Sequence, residues 1–504
     1  MSKQTGGGIQ RALCLLARAC VSLILLLNLF YHSEVSYTFE EKVTISGHIF
    51  RSIAMLLPLT AGIVVLARFR KQLERLNQSV VFGLFSAVYV LIAAYLIANN
   101  NHVLRADPSF VYHAASQARQ GVYAEFQPGG YIHTYPHQLG LLLYDMLLMG
   151  IAETPIVNFV MNTVWVLGIQ FVCWQLSRLL SEDRLVHLMT ICLSFAFFPQ
   201  LLFVLFAYGQ IPGLFFLITA FYFTLHFCRT GSWKSGFAIP LCTALSILLR
   251  NNNLIGAIAI ICYLLLHFLK ERGWKKAIAA ALVAVCMMVP GRLVTAAFEA
   301  KSGAELDNGV PSILWLAMGT DIDNRDSGPG WYDVSSYRIY REAGWQAEAA
   351  KAVGEEKLRA NMEKIRQSPP KAAAFFRDKV ISVWCDPLYE SVWSGPMELY
   401  GQTATTPLLL SLYGGGKAED LAEMLAKALS LVVWIGVCVY LLCHGKKQCG
   451  WELALLYFMG GLAFHLFWEA KSQYVYPYVF CLIPFAAHGL ADIMKTVEKK
   501  MRRS

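Results

Sequence analysis

VVFGLFSAVYVLIAAYLIA, residues 80–98, runs for nineteen residues without one charged side chain. At the α-helical rise it measures about 28 Å, close to the hydrocarbon thickness of a bilayer. Inside lipid the backbone must satisfy its own hydrogen bonds. With no barrel-like alternation of polar and apolar residues, the only solution open to this stretch is a helix. The polar run NNNHVLRADPSF, residues 99–110, follows at once and puts Asp107 just past the end of the span.

Apolar stretches recur along the chain, at 12–30 (with the single charge of Arg18) and 254–268 among others. The 504 residues are 56% hydrophobic and 15% charged, with a mean hydropathy of +0.46. Soluble domains carry nearer a quarter charged residues, so lipid is the expected solvent. The first span has no small-residue cleavage site and runs into further spans, so it is expected to be a retained helix. A formal charge of +9 invites a nucleic-acid reading, but residues 299–420 hold 13 Lys+Arg against 18 Asp+Glu. The excess of basic residues therefore sits in short connections between spans, which is the positive-inside bias and not a nucleic-acid groove. The cysteines lie almost wholly in or beside apolar stretches. Only Cys385 is deep in a polar segment, so no disulfide framework is expected.

Basic clusters at Lys3/Arg11, 68–75, 178–184, 229–234, 270–276, Lys446/Lys447 and 495–503 mark one side, expected to be cytoplasmic. Following charge parity from both ends gives about 12 spans with both termini inside. The apolar segment 134–152 is then expected to lie along the outer surface without crossing; the alternative is that it crosses and one of the shorter candidates does not. The expected fold is an all-α polytopic helix bundle with two extracytoplasmic loop regions, 99–155 and 297–425. Its divisions are 1–79 (two accessory spans), 80–296 (core), 297–425 (large outer loop) and 426–504 (last spans and basic tail). Within the large loop an alternating pattern over 337–367 predicts a helix.

Three polar features stand at outer span ends. Asp107 before Pro108 suits a helix N-cap, and local sequence favours that reading; the other is a general base at the mouth of a membrane cavity. Arg250-Asn251-Asn252-Asn253 either ends a helix or offers an arginine with amide donors to a lipid phosphate. The last turn reads Glu469-Ala-Lys471-Ser-Gln-Tyr474-Val-Tyr476-Pro477, either interfacial anchors or site residues.

In order and spacing these elements resemble the polyprenyl-phosphate-sugar transferases of the GT-C fold, in the branch of the protein mannosyltransferases and aminoarabinose transferases. The residues that carry the resemblance are Asp107, Ala114 and Gly121 after a span, then Tyr131 to Pro136. Ala207-Tyr208-Gly209-Gln210, the Arg250 junction and Glu469 to Pro477 continue it. The resemblance implies a glycosyltransferase in which Asp107 takes the proton of an acceptor hydroxyl as it attacks the anomeric carbon. Polyprenyl phosphate leaves and the configuration inverts. It further implies Arg250, Lys471 and Arg325 as contacts of the donor phosphate. Tyr112, His113, Tyr131, Asn252, Asn253, Glu469, Tyr474 and Trp331 become substrate-binding candidates, with Trp315 and Trp384 as further stacking aromatics. The expected partners are the bilayer, a polyprenyl-phosphate-linked sugar and an extracytoplasmic glycan, lipid or protein acceptor, in a bacterial plasma membrane.

Two rivals remain. A glycan polymerase or ligase would use a lipid-linked oligosaccharide and rely on paired outer-loop arginines. A flippase or transporter would place ionisable groups mid-span, where this chain has almost none. No cofactor is required. A divalent metal at Asp321, Asp323 and Asp326 is considered but not favoured, because the loop lacks the glycine and closing glutamate of a calcium motif. His133 and His137 lack the glutamate of a zinc-protease motif.

Overall fold

The computed structural model describes residues 2–36, 41–306, 309–397, 403–444 and 452–503. Lys446 and Lys447 lie outside the described residues, as does the side chain of Lys3. The chain opens with α1 (Ser2–Phe30), a hairpin of β1 (Tyr31–Ser36) and β2 (Lys42–Gly47), then α2 (Ile49–Arg68) and α3 (Gln78–Ala98). Two short helices follow, α4 (Ala106–Arg119) and α5 (Leu139–Leu148). A run of antiparallel helices comes next: α6 (Pro155–Leu180), α7 (Arg184–Ala196), α8 (Gln210–Thr230), α9 (Trp233–Leu249), α10 (Leu254–Glu271) and α11 (Trp274–Ser302). The large loop carries α12 (Ala347–Gln367) and α13 (Pro369–Trp384), and α14 (Lys417–His444), α15 (Glu452–Phe467) and α16 (Ile483–Met501) close the fold.

Local chemistry explains many of the helix ends. The Asn77 side chain accepts from the amides of Ser79 and Val80 and starts α3. Thr154 caps α6 with Pro155 in its first turn, and Asp183 caps α7. Gly231 and Gly303 end α8 and α11 in the left-handed conformation.

Eight helices among the described residues are long and apolar enough to cross a membrane, or ten if two bent pairs each count as one span. In the first bent pair α7 breaks before Pro199–Leu205 at 45°; in the second, Ser472–Phe480 meets α16 at 54°. The remaining two expected spans coincide with α9 and α15, which have 17 and 16 residues. The protein is thus an all-α polytopic membrane protein, with eight to ten full-length candidate spans and two shorter apolar helices among the described residues. Within 134–152 the helix α5 has only ten residues, about 15 Å, too short to cross. The helix expected over 337–367 is interrupted: Gly344 and Trp345 both take positive φ between Ser335–Glu342 and α12.

Small residues set the closest helix contacts, as is common where packing without a hydrophobic drive must hold helices together. At the crossing of α14 and α16, a Cβ on Gly489 would fall 1.9 Å from the Gly436 carbonyl oxygen. Likewise, a Cβ on Gly140 would meet the Leu248 carbonyl oxygen at 2.0 Å. The hairpin of the first segment is tied to the large loop: Ser33 N–H donates to the Cys385 carbonyl and Val43 N–H to that of Ser327.

Candidate functional site

Asp107 lies in the first turn of α4, and the N-cap position belongs to Arg105, which makes no side-chain cap. The capping role that the local sequence favours for Asp107 is therefore not what the structure shows. Its carboxylate instead accepts a hydrogen bond of 2.8 Å from the Tyr208 hydroxyl, which in turn accepts from Gln138 Nε2 at 2.7 Å. The residue before it, Ala106, takes φ +49, a conformation that costs an L-residue roughly 1–2 kcal/mol. Arg105 holds this geometry from below. It is buried, donates to the carbonyls of Trp393 and Gly395, and lies 4.0 Å over the Trp393 ring.

Tyr208 is aimed by its neighbour. Gly209 takes φ +71, and a Cβ there would lie 2.1 Å from the Leu249 carbonyl oxygen. Only glycine lets the start of α8 approach the end of α9 this closely. Gly140 presses on the same end of α9, so the backbone just before Arg250 is gripped from two sides. The Arg250 guanidinium then lies over the Tyr208 ring at 4.4 Å and the Tyr474 ring at 5.4 Å. Among the described residues no carboxylate pairs with it.

The other wall is the turn 469–474. Tyr474 donates to Glu469 Oε2 at 3.2 Å, and Lys471 forms an ion pair with Glu41, which arrives from beyond β1. The Lys471 ammonium also lies 6.0 Å from the Tyr332 ring and 5.8 Å from that of Trp393. Two buried carboxylates clamp the turn. Glu390 accepts from Ser472 N at 2.6 Å and from Gln473 Nε2 at 2.9 Å, and Asp386 accepts from Ser472 Oγ at 2.5 Å.

Burial lifts the Glu469 carboxyl to about 7, against the opposing pull of Lys471. Burial and the neighbouring Glu41 lift Glu390 to about 8. Burial works against the Lys471 charge, but Glu41, Tyr474 and Glu469 outweigh it and hold that group well above the usual lysine range. The enclosing protein, and then Arg250, lower His137 to about 4, so its ring is neutral at physiological pH. The site thus combines an acceptor carboxylate, an uncompensated guanidinium and aromatic faces.

Of the residues selected from sequence, Asp107, Arg250, Glu469, Lys471 and Tyr474 come together here, and Tyr131 stands beside them, its phenol facing Asp107 and Tyr208. Arg325 stands apart, paired with Asp378 at 2.9 Å in the large loop. Trp331 is buried with its indole N–H on Ser382 Oγ, and Trp384 is likewise buried, so neither presents a face for stacking. Trp315 does pair with Tyr332, 6.2 Å between rings. His113 is exposed and hydrogen-bonded to Gln117, while Tyr112 faces Asp145 and Glu153. Asn253 is buried on the Ser246 carbonyl; Asn252 is half-buried beside Arg250. Sequence reasoning did not select Tyr208, Gln138, Glu41, Tyr332, Asp386 or Glu390. Tyr208, Gln138 and Asp386 lay within stretches noted from the sequence, 207–210, 134–152 and the turn 384–387, without being selected themselves.

Two of the three aspartates considered for a metal are engaged by lysines: Asp321 pairs with Lys364 at 3.5 Å, and Asp323 with Lys364 at 2.7 Å and with Lys371. Two other groups could hold a metal, His444/His488/Asp492 and His32/Glu34/Glu423, each with donor atoms within 4.8 Å of one another. Both also bond internally, through His444–Asp492 at 2.7 Å and His32–Glu423 at 2.8 Å. Compared with protein-family models and with curated proteins, the chain matches none.

Proposed function

We propose that this protein is a membrane glycosyltransferase of the GT-C type, moving a sugar from a polyprenyl-phosphate donor to an acceptor on the extracytoplasmic face. The observation that carries the reading is the tyrosine bridge. Tyr208 donates its hydroxyl to Asp107 and carries the unpaired Arg250 on its ring, so a base and an anion-binding cation stand one side chain apart. Glycosyl transfer from a phosphate ester needs this pair, a carboxylate to take the acceptor proton and fixed positive charge where the leaving phosphate develops its own.

In this reading an acceptor hydroxyl loses its proton to Asp107 as its oxygen bonds to the anomeric carbon. The bond from that carbon to the phosphate oxygen breaks, the electron pair leaves with polyprenyl phosphate, and one displacement inverts the configuration. Arg250 meets the departing phosphate, with Lys471 behind it. Lys471 already has Glu41 as a partner, so Arg250 is the stronger claimant. Tyr332 and Trp315 offer ring faces to a sugar.

The test is glycan labelling in membranes, with Asp107→Asn compared to wild type at matched expression. The substitution keeps the size and the Tyr208 bond but removes the base. Labelled product from wild type and at least a ~100-fold loss in the variant is the expected result. Normal labelling by the variant would remove Asp107 from the chemistry and the proposal with it.

A further inference from the structure

Beside the Asp107–Arg250 cluster lies a cavity of about 490 Å3 between α9 and α11, closed at one end by the segment 136–140. Its wall is apolar along Ile247, Leu248, Met287 and Val294, with His137 and Asn251 toward the cluster. His137 is close enough to feel the charges of Arg250 and Asp107, so cavity and cluster share a border. The volume is that of a small-molecule pocket, larger than packing defects leave behind.

One side chain in the lining is out of place for a structural wall. Arg292 is the single charged residue between Lys276 and Glu299, in a helix otherwise fit to cross a membrane. No carboxylate among the described residues pairs with it. Glu299 lines the same cavity, but its carboxylate accepts from the Leu306 amide. Met288, Val289 and Leu293 around it are exposed, as lipid-facing side chains are. The helical rise puts Arg292 roughly 27 Å from Trp274, toward the end of α11 that leads to the cluster. Pro290 cannot donate to the Cys286 carbonyl, and both residues line the cavity, so the helix is opened where the arginine stands. An unpaired arginine near lipid is costly unless an anion joins it. Arg292 is itself exposed on this apolar face, where a lipid phosphate arrives with its own tail.

We propose that this cavity receives the phosphate head of a polyprenyl phosphate from the bilayer, with Arg292 as its first cationic contact on the way to Arg250. The assignment rests on the donor class proposed above and adds the side of the bundle by which that donor enters. The tail lies outward between α9 and α11, and His137 and Asn251 stand between the two arginines.

The test is equilibrium binding of a labelled long-chain polyprenyl monophosphate to the purified full chain in detergent, which needs no turnover. Arg292→Ala should weaken binding about tenfold or more, and Arg292→Lys less, since lysine keeps the charge but not the fork. Gly291→Leu is the second variant: a Cβ at Gly291 meets open space, so the larger side chain fills the cavity without a clash. It should lose binding with an unchanged melting temperature. Excess inorganic phosphate or phosphatidylglycerol should not displace the probe. Wild-type affinity in both variants would overturn the site. Displacement by inorganic phosphate would make it a soluble-anion site, and displacement by phosphatidylglycerol a general headgroup contact; either overturns the proposal. Asp107→Asn should bind the probe as wild type does. Intact binding with unaffected transfer in that variant would sink the catalytic reading while leaving this one standing.

Discussion

Two charged clusters of this protein look alike on paper. One is the run Asp321 to Asp326 in the large loop; the other gathers Asp107, Arg250, and the pair Glu469 and Lys471 from three distant segments. In the first, most charges find a counter-charge near the surface, Asp321 and Asp323 with Lys364, Asp323 also with Lys371, and Arg325 with Asp378. In the second, the charges are enclosed, and the connections run through tyrosines. Asp107 is bonded to a hydroxyl and Arg250 rests on two rings, so neither is neutralised by a salt bridge. Exposed pairs of opposite charge need nothing further. A half-buried carboxylate and guanidinium without ionic partners keep their capacity for a substrate.

The sharpest way to break this contrast is to remove Arg250. If its free charge meets a leaving phosphate, Arg250→Ala should lower transfer about 100-fold, and Arg250→Lys should restore only part of it. Thermal stability should change little, because no ion pair is lost. A variant with wild-type rates would show that an unpaired guanidinium here is only a ring-stacked anchor. A smaller loss, about tenfold in kcat with KM little changed, is expected for Tyr208→Phe. That variant keeps the ring beneath Arg250 but takes the hydroxyl from Asp107 and leaves Gln138 without its acceptor. A KM effect alone would assign Tyr208 to binding and not to the orientation of the base.

The helices were largely legible because lipid imposes a simple rule: uncharged runs of span length stand out in any order. The rule fails where helices bend or shorten. Pro199 breaks one span and the turn before Ile483 another, while α9 and α15 have only 17 and 16 residues. The site was half legible. Asp107, Arg250 and Glu469 mark span ends, where polar groups against apolar stretches are conspicuous. Glu41 was invisible because nothing in its own stretch announces a partner 430 residues away. Trp331 misled for the opposite reason, an aromatic in a polar loop that is core packing. Arg325 likewise drew notice for its charge, but α13 brings it a partner, Asp378, that sequence distance concealed.

Enclosure also predicts how the two clusters answer to pH. Glu469 is raised to about 7 and Glu390 to about 8, both chiefly by burial. Between the ordinary carboxylate pKa and these values the folded protein holds protons that the unfolded chain has released, so stability falls as pH rises through that window. The melting temperature should therefore drop from about pH 5 to about pH 8, and the drop should shrink in Glu469→Gln, which mimics the protonated acid. A flat profile in wild type would mean that Glu469 ionises freely, and the cluster would lose its claim to enclosure.

The smallest effect belongs to the exposed cluster, and it bounds the comparison from the other side. Asp323 is held low, at about 2, by hydrogen bonds from Lys364 and Lys371. Its stabilising share is complete above the ordinary aspartate pKa and is lost only as pH falls below that pKa through about 2, so it is silent in the neutral range. Solvent screens both pairs, and surface ion pairs of this kind contribute little. Asp323→Asn should leave transfer unchanged and shift the melting temperature by under about 2 °C, with less shift still at high salt. Should this variant cut transfer as deeply as Arg250→Ala, enclosure would not be what separates the clusters. The aspartates of the large loop would then have to be engaging substrate or cation, and their lysine pairs would be a resting arrangement that the working protein opens.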